Sequence, residues 1–303
     1  VFYPLGFYFS GVLTLTQFVD PSPVHDFQDL VEMASGQVGP QFTGTQQAKP
    51  GLPIRTTQLK DILDCVVAGG YNCNRDLSAG SVDFELKAGK NLNERTPDAT
   101  ALHIRARRQV NTMVTVESMS GRQGSRAAAT CRFSPVYKAS TGNDPLVFTN
   151  TVALSITSTI EHLFTLGPIK LNGSFVEGVE EATLDNRVEY EVVYDGGFGF
   201  PSYIAVKNYK PQVRFTCRDS RVMATYTTRG TALSALSMFF RKELRSKMQV
   251  ADATEEHIKI TAAVGTIKAR GLGQNMGAEV TIELEKPAQN TAANEIDTTA
   301  AIS

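Results

Sequence analysis

No tryptophan occurs among the 303 residues, only four residues are cysteine, and neither sign of charge is in excess, with 30 Lys and Arg against 31 Asp and Glu. Cys65, Cys73, Cys131 and Cys217 are too few and too scattered to staple a chain of this length, and no CxxC pair is present. They read as reduced, mostly buried thiols. The histidines His25, His103, His162 and His257 never fall at a zinc-site spacing with a cysteine or with one another, which argues against a metal centre. No serine sits in a GxSxG elbow and no cysteine carries a catalytic signature. The balanced charge, with a sequence pI near 6.5, excludes the strongly basic surface of a general nucleic-acid or anionic-membrane binder. No catalytic, cofactor or metal residue is assigned, no cofactor is expected, and the expectation is a protein that is not an enzyme.

Long apolar runs are scarce as well. The most apolar stretch, residues 1–18, contains Pro4, Gly6 and Gly11, has no basic leader and falls short of the roughly 20 residues of a spanning helix. It is read instead as the first strand of a domain, because Tyr3, Leu5 and Gly6 match Phe164, Leu166 and Gly167 of a second copy.

That second copy is what the sequence has in place of motifs. Residues 98–113, DATALHIRARRQVNTM, return without a gap as residues 252–267, DATEEHIKITAAVGTI. Asp98, Ala99, Thr100, His103, Ile104, Val110 and Thr112 are identical to their counterparts at an offset of 154. Earlier in the chain an offset of 161 aligns Gly36 with Gly197, Pro40 with Pro201, Lys49 with Lys210 and Pro50 with Pro211. Matches at Gly and Pro mark positions where backbone geometry dictates the residue. With 42% hydrophobic residues the chain can bury two ordinary cores. Two tandem domains are therefore expected, residues 1–155 and 162–303, joined by a linker at 156–161.

Each copy reads as mainly β, a β-sandwich or barrel with one flanking helix. The expected strands are 6–15, 42–56, 82–86, 103–116 and 128–133 in the first copy, and 169–176, 188–194, 203–217, 257–268 and 278–285 in the second. A helix in the first copy follows Thr57 as N-cap, with Leu59, Ile62, Leu63 and Val66 on one face and Gly69 and Gly70 as the stop. In the second copy the periodic stretch 233–244, with Leu233, Leu236, Phe240 and Leu244 on one face, is the expected helix, displaced from its counterpart. Residues 118–125 and 271–277 read as loops.

Several groups invite a functional reading and are better explained structurally. His103 and His257 stand at strand starts beside Asp and Thr, as structural histidines bonded to a turn do. The glycines of GFGF (197–200) and GLGQNMG (271–277) do not open a helix after a strand, so they are not phosphate loops. Glu180 with Glu181 and Glu255 with Glu256 read as solvated charge. Arg105, Arg107 and Arg108 form the one compact basic cluster, with Arg122, Arg126 and Arg132 downstream. Because Thr261 and Ala262 replace Arg107 and Arg108 in the second copy, an interface or a solvated face explains the cluster better than nucleic-acid binding.

The segment VEYEVVYDGGFGFPSYIAVKNYKPQVRFTCRD, residues 188–219, resembles the tail tube proteins of long-tailed bacteriophages. The resemblance rests on Asp195 and Gly196 ending a strand, Pro201 and Tyr203 opening the next, and Lys210 and Pro211 preceding an alternating strand that runs toward Asp219. The first copy keeps Gly36, Pro40, Phe42, Lys49 and Pro50, with Ala34 and Ser35 in place of the Asp and Gly. The resemblance implies a β-sandwich flanked by a helix, a homo-oligomer built as trimeric rings with pseudo-six-fold symmetry, and rings stacked around a channel for duplex DNA. It also implies tape measure and other tail proteins as partners, a place in the virion after assembly in the host cytoplasm, and stacking contacts through the excursions at 34–50 and 195–211. A distal tail, terminator or baseplate protein is the alternative. A two-domain surface or carbohydrate-binding module is weaker, for want of tryptophan and with nine tyrosines.

Overall fold

A computed structural model describes residues 2–9, 12–14, 16–18, 33–34, 37–38, 52–67, 74–77, 82–88, 103–108, 112–135, 146–149, 163–194, 201–226, 229–244, 246, 248–271, 277–285 and 294–303. The chain is mainly β. Its first half runs β1 (Phe2–Phe9), β2 (Val12–Thr14), β3 (Thr16–Phe18), β4 (Met33–Ala34), β5 (Gln37–Val38), β6 (Leu52–Thr56), α1 (Leu59–Val67), β7 (Asn74–Leu77), β8 (Val82–Ala88), β9 (His103–Arg108), β10 (Thr112–Arg122), β11 (Ala128–Pro135) and β12 (Leu146–Thr149). The second half runs β13 (Leu163–Leu171), β14 (Ser174–Phe175), β15 (Val179–Asp185), β16 (Val188–Val193), β17 (Tyr203–Tyr209), β18 (Gln212–Cys217), α2 (Ser220–Thr225), β19 (Thr231–Leu233), β20 (Leu236–Glu243), β21 (His257–Ala262), β22 (Gly265–Gly271), β23 (Ala278–Leu284) and β24 (Glu295–Ala300).

Strand order repeats from half to half. One sheet reads β12-β9-β8-β1-β2 and its counterpart β24-β21-β20-β13-β14. The other reads β7-β10-β11-β6-β3 in the first half and β19-β22-β23-β18-β15 in the second. These last two are not separate: β10 pairs antiparallel with β15, from Ser118 opposite Asp185 to Arg122 opposite Glu181, and a ten-stranded sheet results. The buried side chains also form one contiguous cluster, in which Leu59, Val114 and Met119 of the first half share a core with Phe164, Phe240 and Ile260 of the second.

The pairing of β1 with β8 shifts register between Pro4 and Gly6, and that of β13 with β20 shifts between Leu166 and Ile169. These irregularities flank the aligned Gly6 and Gly167. At Gly167 an added Cβ would lie 2.9 Å from the Phe239 carbonyl oxygen, so the bulge brings two backbones together where only glycine fits.

Several expected elements are divided or replaced. The expected strands 103–116 and 257–268 are each two strands, β9 with β10 and β21 with β22. The expected strand 203–217 breaks into β17 and β18 at Lys210 and Pro211, where a proline cannot donate to the ladder. The expected strand 169–176 is the end of β13, a tight turn and β14. Asn172 (φ 48°) and Gly173 (φ 87°) make that turn, the geometry Asn-Gly supplies in a two-residue hairpin. Most of the expected loop 118–125 is strand, because β10 extends to Arg122.

The expected helix at 233–244 is wrong: that stretch is β19 and β20. Leu236, Met238 and Phe240 have period-two spacing, but Phe239 between the last two is equally buried, with the Lys259 ammonium 5.6 Å from its ring. With both faces of a central strand covered, alternation disappears and an accidental helical spacing remains. The second helix is α2, at the place aligned with α1. Its N-cap is Asp219, whose side chain accepts from the Arg221 N–H. At the start of α1 the hydroxyl that accepts a backbone N–H belongs to Thr56, from Gln58 at 3.1 Å, instead of the expected Thr57. Gly69 and Gly70 lie outside the described residues, as do the linker 156–161 and residues 195–200.

Candidate assembly interface

The joint between the halves begins with a bulge. Pairing of β10 with β11 slips between Val116 and Ser118, leaving Glu117 as the extra residue. Its carbonyl accepts from the Asn186 N–H at 2.9 Å, and its carboxylate accepts from Arg132 Nε at 2.6 Å. Asn186, fully buried, donates its side-chain amide to the Val116 carbonyl at 2.7 Å. Gln123 N–H donates to Glu180, and Ala127 N–H donates to Phe164 at 2.7 Å. The bulge twists β10, and the strand consequently serves two neighbours on one edge: Thr112–Thr115 pair with β7 and Ser118–Arg122 with β15.

A helix reinforces the strands. α1 packs on β24. Leu59, Ile62 and Leu63 are fully buried, each stabilising by about 1.5–3 kcal/mol relative to exposure. Lys60 Nζ reaches Asp64 at 3.1 Å and the Thr298 carbonyl at 3.4 Å, while the Thr298 hydroxyl donates to Asp64.

Beyond Asp185 and Gln212 the β15–β18 hairpin continues in the same register as β16 and β17, with Val188 opposite Tyr209. The bend falls at Arg187 (φ 45°) and at Pro211. The two strands form a separate ribbon in which Val192, Val193 and Tyr203 are 44%, 40% and 60% exposed. With Val193 opposite Tyr203 and Val192 opposite Ile204 near its described end, the arm has an apolar tip.

The solvent-facing side of the ten-stranded sheet is polar. Arg132 pairs with Glu117, Lys268 with Glu283 and Arg270 with Glu279, so much of its charge is neutralised locally.

The residues singled out from sequence fall as follows. His257 is fully buried: its Nδ1 accepts from the Lys242 N–H at 3.0 Å and its Nε2 lies 3.0 Å from the Ala251 carbonyl, the pattern of a ring with its proton on Nε2. It closes the turn at 251–256, a structural role. Only the backbone of His103 is described, at the start of β9. Register places Arg105 opposite Glu85 and Arg107 opposite Asp83 on β8. Glu180 is exposed and bonded to Arg218; Glu256 is bonded to Lys242. Cys131 and Cys217 are buried, and burial pushes the Cys217 thiol up. His25, Cys73, His162, Gly197 and the interior of 271–277 lie outside the described residues. The joint itself was missed, because β15 pairs with residues some sixty positions away in the chain.

Among the described residues no group of three or more His, Cys, Asp or Glu is placed to hold a metal ion, and no helix is long and apolar enough to cross a membrane. No protein-family model matches the chain, and no curated protein matches it at a significant level.

Proposed function

We propose that the protein is a structural virion component, the subunit of a bacteriophage tail tube, in which two tandem copies of one domain occupy neighbouring places in a ring. The observation that carries this reading is the joint between β10 and β15. Two units of the same strand order join edge to edge and extend one sheet, and each unit retains the means to repeat the joint. A trimer of such chains makes a ring of pseudo-six-fold symmetry whose sheets line a channel. Locally paired charge on the polar face suits a lining past which duplex DNA slides, since an excess of Lys and Arg would hold phosphates by counterion release. The arm formed by β16 and β17, apolar at its tip, is the contact to the next ring. Tape measure and other tail proteins complete the assembly in the virion.

Negative-stain microscopy and sedimentation of the concentrated protein test this reading. Rings or tubes, built from multiples of three 32.9 kDa chains, are the expected result. Particles that stay monomeric at all concentrations, with and without tail initiator proteins, sink it.

A further inference from the structure

Among the described residues, the contact that seats α1 has no counterpart at α2. α1 lies between its own half and β24, with Leu63 buried and Lys60 and Asp64 both bonded to Thr298. α2 occupies the same place over β22 and β23 and buries Val222 and Tyr226. Yet Arg221, Ala224 and Thr225, which an offset of 161 aligns with Lys60, Leu63 and Asp64, are exposed. The strand that corresponds to β24 is β12, which ends its sheet.

The strands point the same way. On β22 only Gly265–Ile267 pair with β19, and the following residues 268–271 have no neighbour on that edge among the described residues. In the first half the corresponding edge of β10 continues into its pairing with β15. The counterpart of β15 is β3, and it too ends its sheet. Helix contact and strand contact thus both run from the first half to the second, and both stop unpartnered at the far side of the second.

We infer that a second copy of this chain covers α2, its β12 packing on the exposed face of the helix as β24 packs on α1, while its β3 lies along the open part of β22. The inference rests on the tube-subunit reading and specifies the surfaces that it uses. The contact is head to tail, so donor and acceptor faces differ and every copy carries one of each. Its chemistry also differs from the joint inside the chain. Where Leu63, Lys60 and Asp64 hold α1, the second copy meets Ala224, Thr225 and an Arg221 already paired with Asp219 and Glu177. The chain-to-chain joint is therefore the weaker of the two, and the folded subunit persists before it assembles.

Ala224→Trp places a bulky ring where β12 must lie and leaves Val222 and Tyr226 in place. Sedimentation velocity, negative-stain microscopy and thermal melting compare it with the unaltered protein at matched concentration. The expected result is unchanged melting with association weakened by at least about tenfold. Hydrogen exchange on the unaltered protein, dilute against assembled, decides the matter even if the variant misfolds: amides of 220–225 and 268–271 gain at least about tenfold protection, while those of α1 and β15 do not change. Assembly of the unaltered protein with no gain at α2, or with Ala224→Trp assembling equally well, overturns the inference and leaves the tube-subunit reading standing. Failure of the unaltered protein to assemble at all overturns that reading, and the inference with it.

Discussion

At the scale of single residues, the DAT…H segment of the second copy, residues 252–257, is explained by the turn it builds. Asp252 accepts from Arg241 Nη and, through its carbonyl, from the Ile302 N–H, while the Ala251 carbonyl receives both the Thr254 N–H and the His257 ring. Removing the imidazole by His257→Ala orphans the Lys242 N–H and one of those acceptor positions inside the protein, at a cost of about 1–3 kcal/mol. Denaturant unfolding is expected to register that loss, with the far-ultraviolet spectrum unchanged. A catalytic histidine would instead leave stability close to that of the unaltered protein.

Among the described residues Asp219 is the one carboxylate whose titration is displaced far. Hydrogen bonds from the Arg221 side chain, joined by backbone N–H groups of Glu177 and Arg221, hold it at about 2 against its ordinary 3.8, and burial opposes them only in part. A depressed folded-state value means that the charged cap stabilises above the unfolded value and that this contribution disappears as pH falls from about 4 to about 2. Asp219→Asn keeps a capping side chain and removes the charge. Its melting temperature is expected to lie below that of the unaltered protein at pH 7 and to converge with it near pH 2. Parallel curves over that window would show that the charge contributes nothing.

At the scale of elements, Asn186 ties β15 to the bulge of β10 through both its backbone N–H and its side-chain amide. Asn186→Ala strips the amide from the Val116 carbonyl in a fully buried site, for a loss of about 1–3 kcal/mol. Exchange protection is expected to fall first at β15 and at residues 118–122 of β10. Uniform loss across all strands would mean that the bulge is not the weak point. The arm makes the opposite prediction. Val193→Glu combined with Tyr203→Lys alters side chains that are exposed, so melting stays within about 0.5 kcal/mol of the unaltered protein, yet tubes shorten to single rings in micrographs. Tubes of full length would remove the arm from the stacking contact.

Legibility at this scale followed which faces are covered. β23 alternates cleanly because one face is core and the other solvent, and its limits were read within a residue. β20 is covered on both faces by Phe239, Phe240 and their neighbours, so its run took on the spacing of a helix. α1 was read from its apolar stripe, whereas α2 has six residues and leaves its outer face bare, too little for any periodic signal. Breaks within long strands were invisible because side chains on either side of a bend keep their alternation; only Pro211 and the Asn172-Gly173 pair carried them. The joint was beyond reach of pattern reading, since β15 pairs with residues some sixty positions away and its edge composition is that of any strand.

At the scale of the whole molecule, duplication and charge argue together. Two units joined head to tail expose one donor and one acceptor face, and such contacts close a ring where the rotation between units divides a full turn and run on as a filament where it does not. Residues 107 and 108 differ from their counterparts 261 and 262, so the two units are unequal there. A channel for DNA imposes a further demand: the lining must not hold what passes through it. With a net charge of −1 and ion pairs across the polar face of the large sheet, the proposed lining would neutralise few phosphates of a passing duplex. Assembled protein is therefore expected to bind a fluorescent duplex more weakly than the roughly 1–100 μM of ordinary non-specific binders at physiological salt, and to show a shallow salt dependence. Anisotropy titrations at several salt concentrations measure both. Submicromolar affinity with a steep slope would mean a basic surface that grips DNA, and the polar face of the sheet would then be a binding surface instead of a conduit.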